Sequence, residues 1–233
     1  MAKMKMFCLF VIAAGALCVP MFAQAQDAAP APAAGDQEAI NIELPEPFFG
    51  GTPIDYWSPN LEPEDYKDRP PFMAPKGTTN VAAGKAVTSS VPPAHGELKQ
   101  LTDGDKHYAR TSLIELPDGP QWVQIDLEKE TSIYAILVWH FHEGKRVYFD
   151  IVVQASNDKE FNDKVTVLYN NDHDNTAGLG VGKDKEYIEN NKGRLIDAKG
   201  ISARYLRFYS KGNTSDDFNH YVEIEVFGVP KAS

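Results

Sequence analysis

The sequence predicts an all-β protein, a sandwich or jelly roll of about eight antiparallel strands behind an extended N-terminal arm. Three observations predict it. Short runs rich in Val, Ile, Tyr and Trp recur from Asn80 onward, separated by Gly and polar breaks. No segment sustains a helical period, and no repeat recurs at solenoid or propeller spacing. The preceding stretch carries eight prolines between Pro45 and Pro75, which forbids long helices and central strands there.

The chain begins as a secretory signal peptide does. Lys3 and Lys5 form a basic start, and Phe7 to Val19 an apolar core too short to span a bilayer. Ala23-Gln24-Ala25 fits the small-x-small cleavage rule, so cleavage is expected before Gln26, with the product secreted or periplasmic. Removing the first 25 of 233 residues leaves 208, a length suited to one domain. Both cysteines, Cys8 and Cys18, leave with the peptide, so the remainder is held by its core, or by a core plus a metal ion. Loss of Lys3 and Lys5 moves the formal charge from −10 to −12. Such an acidic chain is a poor partner for nucleic acid or anionic lipid, and is compatible with cations and neutral polymers. No later stretch is apolar enough to cross a membrane as a helix.

Residues 26–39, "QDAAPAPAAGDQEA", read as a flexible linker. Residues 40–79 hold Phe48, Phe49, Tyr56, Trp57, Tyr66 and Phe72 among the prolines, more aromatics than a disordered linker carries. They are expected to pack on the following domain, residues 80–229, with Phe48, Phe49, Trp57 and Phe72 buried. In "QWVQIDLE" (121–128) Val123, Ile125 and Leu127 alternate with Trp122, Gln124 and Asp126, the two-residue period of a strand. "SIYAILVWHF" (132–141), "VYFDIVVQAS" (147–156), "VTVLYN" (165–170), "ARYLRFYS" (203–210) and "HYVEIEVFG" (220–228) complete the strand set.

These segments, with "NVAAGKAVTSS" and "LTDGD", stand in an order that resembles the discoidin-like domains of the coagulation-factor C-terminal type, a group that includes the family 32 carbohydrate-binding modules. The resemblance spans about residues 78 to 228 and is most specific in "QWVQIDL" and in "ARYLRFYS" with "EIEVFG". It implies an eight-stranded antiparallel jelly-roll sandwich of the galactose-binding type that binds ligands without turning them over. The chain departs from the family in two ways. The cysteine pair of the animal members is missing, and "SNDKEFND" replaces the Ser-x-Asp-Gly turn and Trp of many sugar-binding modules.

The resemblance also implies site residues. "LTDGD" (101–105) sits where the family often holds calcium together with a Glu of the last strand, which maps the metal set to Asp103, Asp105 and Glu223. A tight Asp-Gly-Asp turn suits a hard cation that wants six to eight oxygens. The loop 142–147 sits where sugar modules often place polar ligand contacts, and the resemblance implies that the turn 105–111 meets it at one end of the sandwich. They supply His107, Tyr108, Arg110, His142 and Arg146, side chains that donate to hydroxyls and stack on rings.

The loop "NNDHDN" (170–175), continuing as "TAGLGVGKD", is the other polar concentration. Counted from Asp172, an EF-hand would need Gly at position 6 and Glu at 12; Ala177 and Lys183 stand there. As a phosphate loop, Gly178 to Gly182 is one residue short, and Asp184 replaces the Ser or Thr. The loop therefore reads as a support or rim, with Asp172 and Asp174 as alternative metal ligands. No nucleophile elbow, His-Glu-x-x-His motif or mature cysteine offers a catalytic framework, so no catalytic residue is assigned. The alternative is a small metal-dependent hydrolase on His140 and His142, with His107, His173 or His220 as third ligand. A third class is an interaction domain whose aromatic arm meets a protein partner. The leading expectation is an exported, non-catalytic module for a carbohydrate or glycoconjugate, with a structural calcium.

Overall fold

The computed structural model describes residues 36–48 and 54–231; the expected signal peptide and most of the expected linker lie outside them. Ten strands form: β1 (Gln37–Ala39), β2 (Met73–Pro75), β3 (Thr79–Asn80), β4 (Val87–Ser89), β5 (Ile114–Leu116), β6 (Gln121–His140), β7 (Val152–Ser156), β8 (Thr166–Asn170), β9 (Arg194–Ser210) and β10 (Asn219–Pro230). All the strand pairs are antiparallel, as a jelly roll requires. Among the described residues, helix is confined to two short 3-10 turns, Leu98–Thr102 and Arg110–Ser112.

The two runs read as separate strands, 121–128 and 132–141, are one strand. At about 3.3 Å per residue, a straight strand of this length would be near 65 Å, so β6 must bend. It bends where its pairing to β9 slips, between Asp126 and Thr131 and again between Ile133 and Ala135. Glu128 at the first bend takes a positive φ of 67°. The first half of β6 thereby joins β4 and the end of β9, which continues to β7 and β8. The second half joins β10 and the start of β9. These are the two layers of the sandwich. Residues 194–202, not expected as strand, are recruited because β6 offers a pairing edge to them.

Val123, Ile125 and Leu127 from one layer meet Ile136, Val138, Ile224 and Val226 from the other in the inner core. The run Ala135–Trp139 has no polar alternate, and the reason is visible in a second core. Ala135, Leu137 and Trp139 face outward and are covered by Ile40, Ile42, Phe72 and Ala74 from the N-terminal segment. That segment is anchored by β1 pairing with β2, and by Ile40 N–H donating to the Phe72 carbonyl at 3.0 Å. Gln37–Ala39, expected in the flexible linker, are thus strand.

Residues 54–69 run along the segment 183–194. Leu61 bridges Glu186, Tyr56 Oη donates to Glu186 at 2.9 Å, and Arg194 pairs with Glu62 at 2.7 Å. Not every arm aromatic is buried. Trp57 is 82% exposed and Phe48 37% exposed, while Phe72 is packed against the outer core. Phe49 lies outside the described residues. A proline-braced chain held by backbone pairing and ion pairs does not need every ring as an anchor.

Candidate functional site

The loops 105–111 and 142–147 meet at one end of the sandwich. His142 Nε2 donates to the Lys106 carbonyl at 3.1 Å, and its ring stands edge-on to Tyr108 at 6.4 Å. His107 stacks on Tyr108 at 4.3 Å, and Phe48 of the arm stands tilted against the same Tyr108 ring at 5.0 Å. The loop holds itself in shape: Asp105 Oδ1 accepts from His107 N–H at 3.0 Å, and His107 Nδ1 accepts from Ala109 N–H at 3.1 Å.

The five expected ligand residues divide into two groups. His107 and Arg110 are exposed and Tyr108 is half-buried. Arg110 pairs with Glu115 at 2.9 Å yet leaves 60% of its side chain in solvent. His142 and Arg146, expected among the ligand contacts, point inward. His142 is 3% exposed, and burial, first among the causes, lowers its pKa below the ordinary histidine value. Arg146 lies over the Phe141 ring at 4.7 Å, donates to the Glu143 carbonyl, and leaves only 13% of its side chain exposed. Both support the loop end from beneath.

The proposed hydrolase centre is not assembled. His140 ends β6 with its Nδ1 2.6 Å from Glu189 Oε1, both groups buried, and its ring stacks on Tyr148 at 4.5 Å. His142 faces Lys106 instead. Among the described residues, no third ligand gathers with the two imidazoles. Nothing in "EYIENN" marked Glu189 as a buried partner, because the pairing crosses 49 positions of sequence.

Glu223 and the 101–105 turn do come together. Gly104 N–H donates to Glu223 Oε1 at 3.2 Å, while Oε2 is buried with no hydrogen-bond partner. Glu223 is fully buried, and burial, with Glu225 and Asp103 nearby, pushes its pKa up to about 8. Asp105 is differently employed: its Oδ2 accepts from Ser112 Oγ at 2.7 Å and its Oδ1 from His107. A cation held here would therefore use Glu223, the exposed Asp103 and carbonyl oxygens of the turn. The orphaned Glu223 oxygen fits such an ion.

The NNDHDN loop is bonded largely to itself. Asp172, fully buried, accepts from Thr176 and Ala177 N–H groups at 3.1 and 2.9 Å, and Asn171 Oδ1 accepts from Ile151 N–H at 2.6 Å. Gly182 is required by close approach: a Cβ there would lie 2.2 Å from the Asn170 carbonyl. Asp150, hidden in a run that read as strand, joins Asp172 and Asp174, with one oxygen of each within 4.8 Å of the others. Lys211 lies 3.6 Å from Asp150, and burial raises the Asp150 pKa.

Residues 85–224 match the F5/8 type C domain family over more than half the chain. The chain belongs to that family. The F5/8 type C match covers both loops of the candidate site and Glu223, and leaves the arm outside it. No curated protein matches. Among solved structures, the chain is similar to the CBM32 of AlyQ in complex with 4,5-unsaturated mannuronic acid, at 17% identity and TM-score 0.45. That likeness covers 61% of this chain and 93% of the other. It is similar to a chitosan-binding module of a Paenibacillus sp. IK-5 chitosanase/glucanase, at 20% identity, TM-score 0.43, 64% and 99% coverage. A family 89 glycoside hydrolase from Clostridium perfringens matches at 18% identity and TM-score 0.49, over 65% of this chain and 15% of that one.

Proposed function

We propose that this F5/8 type C protein is an exported, non-catalytic carbohydrate-binding module with a structural calcium. The observation that carries the reading is the His107–Tyr108 stack at the loop end, with Arg110 beside it. An aromatic face takes the apolar side of a sugar ring, while an imidazole and a guanidinium donate to its hydroxyls. The scaffold beneath is rigid, because His142 and Arg146 are locked inward, so little ordering entropy opposes binding. Calcium between Glu223 and the Asp103 turn would tie the base of the same loop to β10. Supplying cations to a buried carboxylate oxygen without a donor stabilises the native state alone.

The experiment is retention of the mature chain on a panel of immobilised glycans, compared with Tyr108→Ala, His107→Ala and Arg110→Ala. The expected result is loss of retention with unchanged melting. A parent chain that retains no glycan at all, with calcium supplied, overturns the reading. The exposed Trp57 and Tyr66 of the arm, 82% and 77% exposed, favour a protein partner as the second reading. In that case capture would depend on Trp57 and be indifferent to Tyr108.

A further inference from the structure

A cleft of about 260 Å³ lies where the N-terminal segment crosses the outer face of β10, lined by Asn41, Glu43, Thr79, Lys106, Glu225 and Phe227 among others. One wall comes from the arm and β3, the other from β10 and the turn after Asp105. Its floor is a buried ion pair. Lys106 Nζ lies 2.7 Å from Glu225 Oε1, with the side chains 10% and 8% exposed, and the ammonium also sits 5.4 Å over the Trp139 ring. Glu225 Oε2 is buried and has no hydrogen-bond partner. A buried carboxylate oxygen left without a donor is costly, and Glu225 is one of the residues that line the cleft.

We propose that this cleft is a second binding site, built jointly by arm and domain, for a single neutral or amino sugar ring. The chemistry of the walls selects that class. A hydroxyl or ammonium donor pairs with the Glu225 carboxylate, and the remaining N–H groups of Lys106 and the exposed Asn41 amide serve the ring oxygens. Drug-sized ligands occupy pockets of about 300 to 1,000 Å³, so this smaller space suits a single ring. Lys106 already neutralises Glu225, which disfavours a divalent cation. Glu43, exposed at the mouth, adds a second carboxylate against one ammonium and so disfavours a uronic acid. This site is separate from the His107–Tyr108 loop end and does not rest on it.

The test is an amide proton–nitrogen NMR titration of the mature chain with galactose, glucosamine and glucuronic acid, and with glycerol as the acyclic control. Saturable shifts should appear at Asn41, Thr79, Lys106 and Phe227, larger with glucosamine or galactose than with glucuronic acid, and absent with glycerol. Asn41→Trp, which fills the mouth from an exposed position, should abolish them while leaving any shifts at 107–110 intact. Glu225→Gln should weaken them at least about tenfold; if that variant does not fold, Asn41→Trp decides. Shifts confined to 107–110 overturn the second site and leave the loop-end reading standing. Glycan retention on the panel with no cleft shifts does the same. Shifts at Asn41 and Thr79 that calcium alone produces, and that Asn41→Trp removes, overturn it in favour of a cation site.

Discussion

The indole of Trp139 lies directly against Gly193: a Cβ at that glycine would fall 2.6 Å from the ring. The same indole donates its Nε1–H to the Asn191 carbonyl at 3.0 Å, and Asn191 in turn donates to the Pro45 carbonyl of the arm at 2.9 Å. One tryptophan thus joins β6, the loop before β9, and the N-terminal segment.

Gly193→Ala should therefore be severe. Gly193 has φ of 61°, a left-handed conformation that a side chain disfavours, and the added methyl has no space. Left-handed strain of about 1–2 kcal/mol and overpacking of about 1–3 kcal/mol give a loss of about 2–5 kcal/mol. Denaturant melting of the purified variant measures it. A loss under about 0.5 kcal/mol, the range of ordinary surface changes, would mean the contact is easily relieved.

Arm aromatics should differ sharply in their effect on stability. Trp57→Ala removes a ring that is largely in solvent and should change stability by no more than about 0.5 kcal/mol. Phe72→Ala removes a partly buried ring packed against the outer core, and should cost about 1–3 kcal/mol. Parallel thermal melts check the contrast, and equal effects would contradict the packing described.

Added calcium should raise the melting temperature, and a chelator should lower it to the ion-free value. At about 100 times the dissociation constant the native state gains about 2.7 kcal/mol. Glu223→Gln should abolish the response, whereas Asp172→Ala should leave it unchanged. A response lost in Asp172→Ala and kept in Glu223→Gln would move the ion to the acidic group of Asp150, Asp172 and Asp174.

Two histidines should shape the acid side of the stability profile. Burial lowers the pKa of both His142 and His220 below the ordinary value of 6.5. His220 faces Glu115 at 3.3 Å, Asp216 at 4.0 Å and the Tyr148 hydroxyl at 3.0 Å. The unfolded chain takes up these protons first as pH falls, so their contribution is whole above about pH 6.5 and is lost below it, through the folded pKa. Glu223 acts oppositely, because its raised pKa favours the folded state at low pH. The clean measurement is the difference between parent and a His142→Asn, His220→Gln double variant from pH 8 to 5, in which the Glu223 contribution cancels. The parent should lose more stability on acidification.

Much of the scaffold was legible in the sequence. Alternation in 121–128 put Val123, Ile125 and Leu127 on one face, because strand side chains change face at every residue, and the structure makes that face the inner one. The 101–105 turn and Glu223 were paired by resemblance, and they are in contact. Residues 194–202 were not legible, since "RLIDAKGIS" becomes strand only when β6 supplies its partner. The inward turn of His142 and Arg146 was equally hidden, because a polar loop residue carries no mark of which way it points.

The sequence by itself determined that this chain is a β sandwich of the discoidin-like kind with an arm that cannot form a long helix. Period, proline content and segment order are local properties, and each residue carries its share of them. It also contained, in the unbroken apolar run Ala135–Trp139, the requirement that both faces of one strand be buried. Only the tertiary structure decided what meets that requirement: Ile40, Ile42, Phe72 and Ala74 cover the outer face. It likewise decided that Lys106 reaches Glu225 across 119 positions, and that His140 is spent on Glu189. Burial and partnership are set by what the chain folds against, and no single stretch of sequence carries that information.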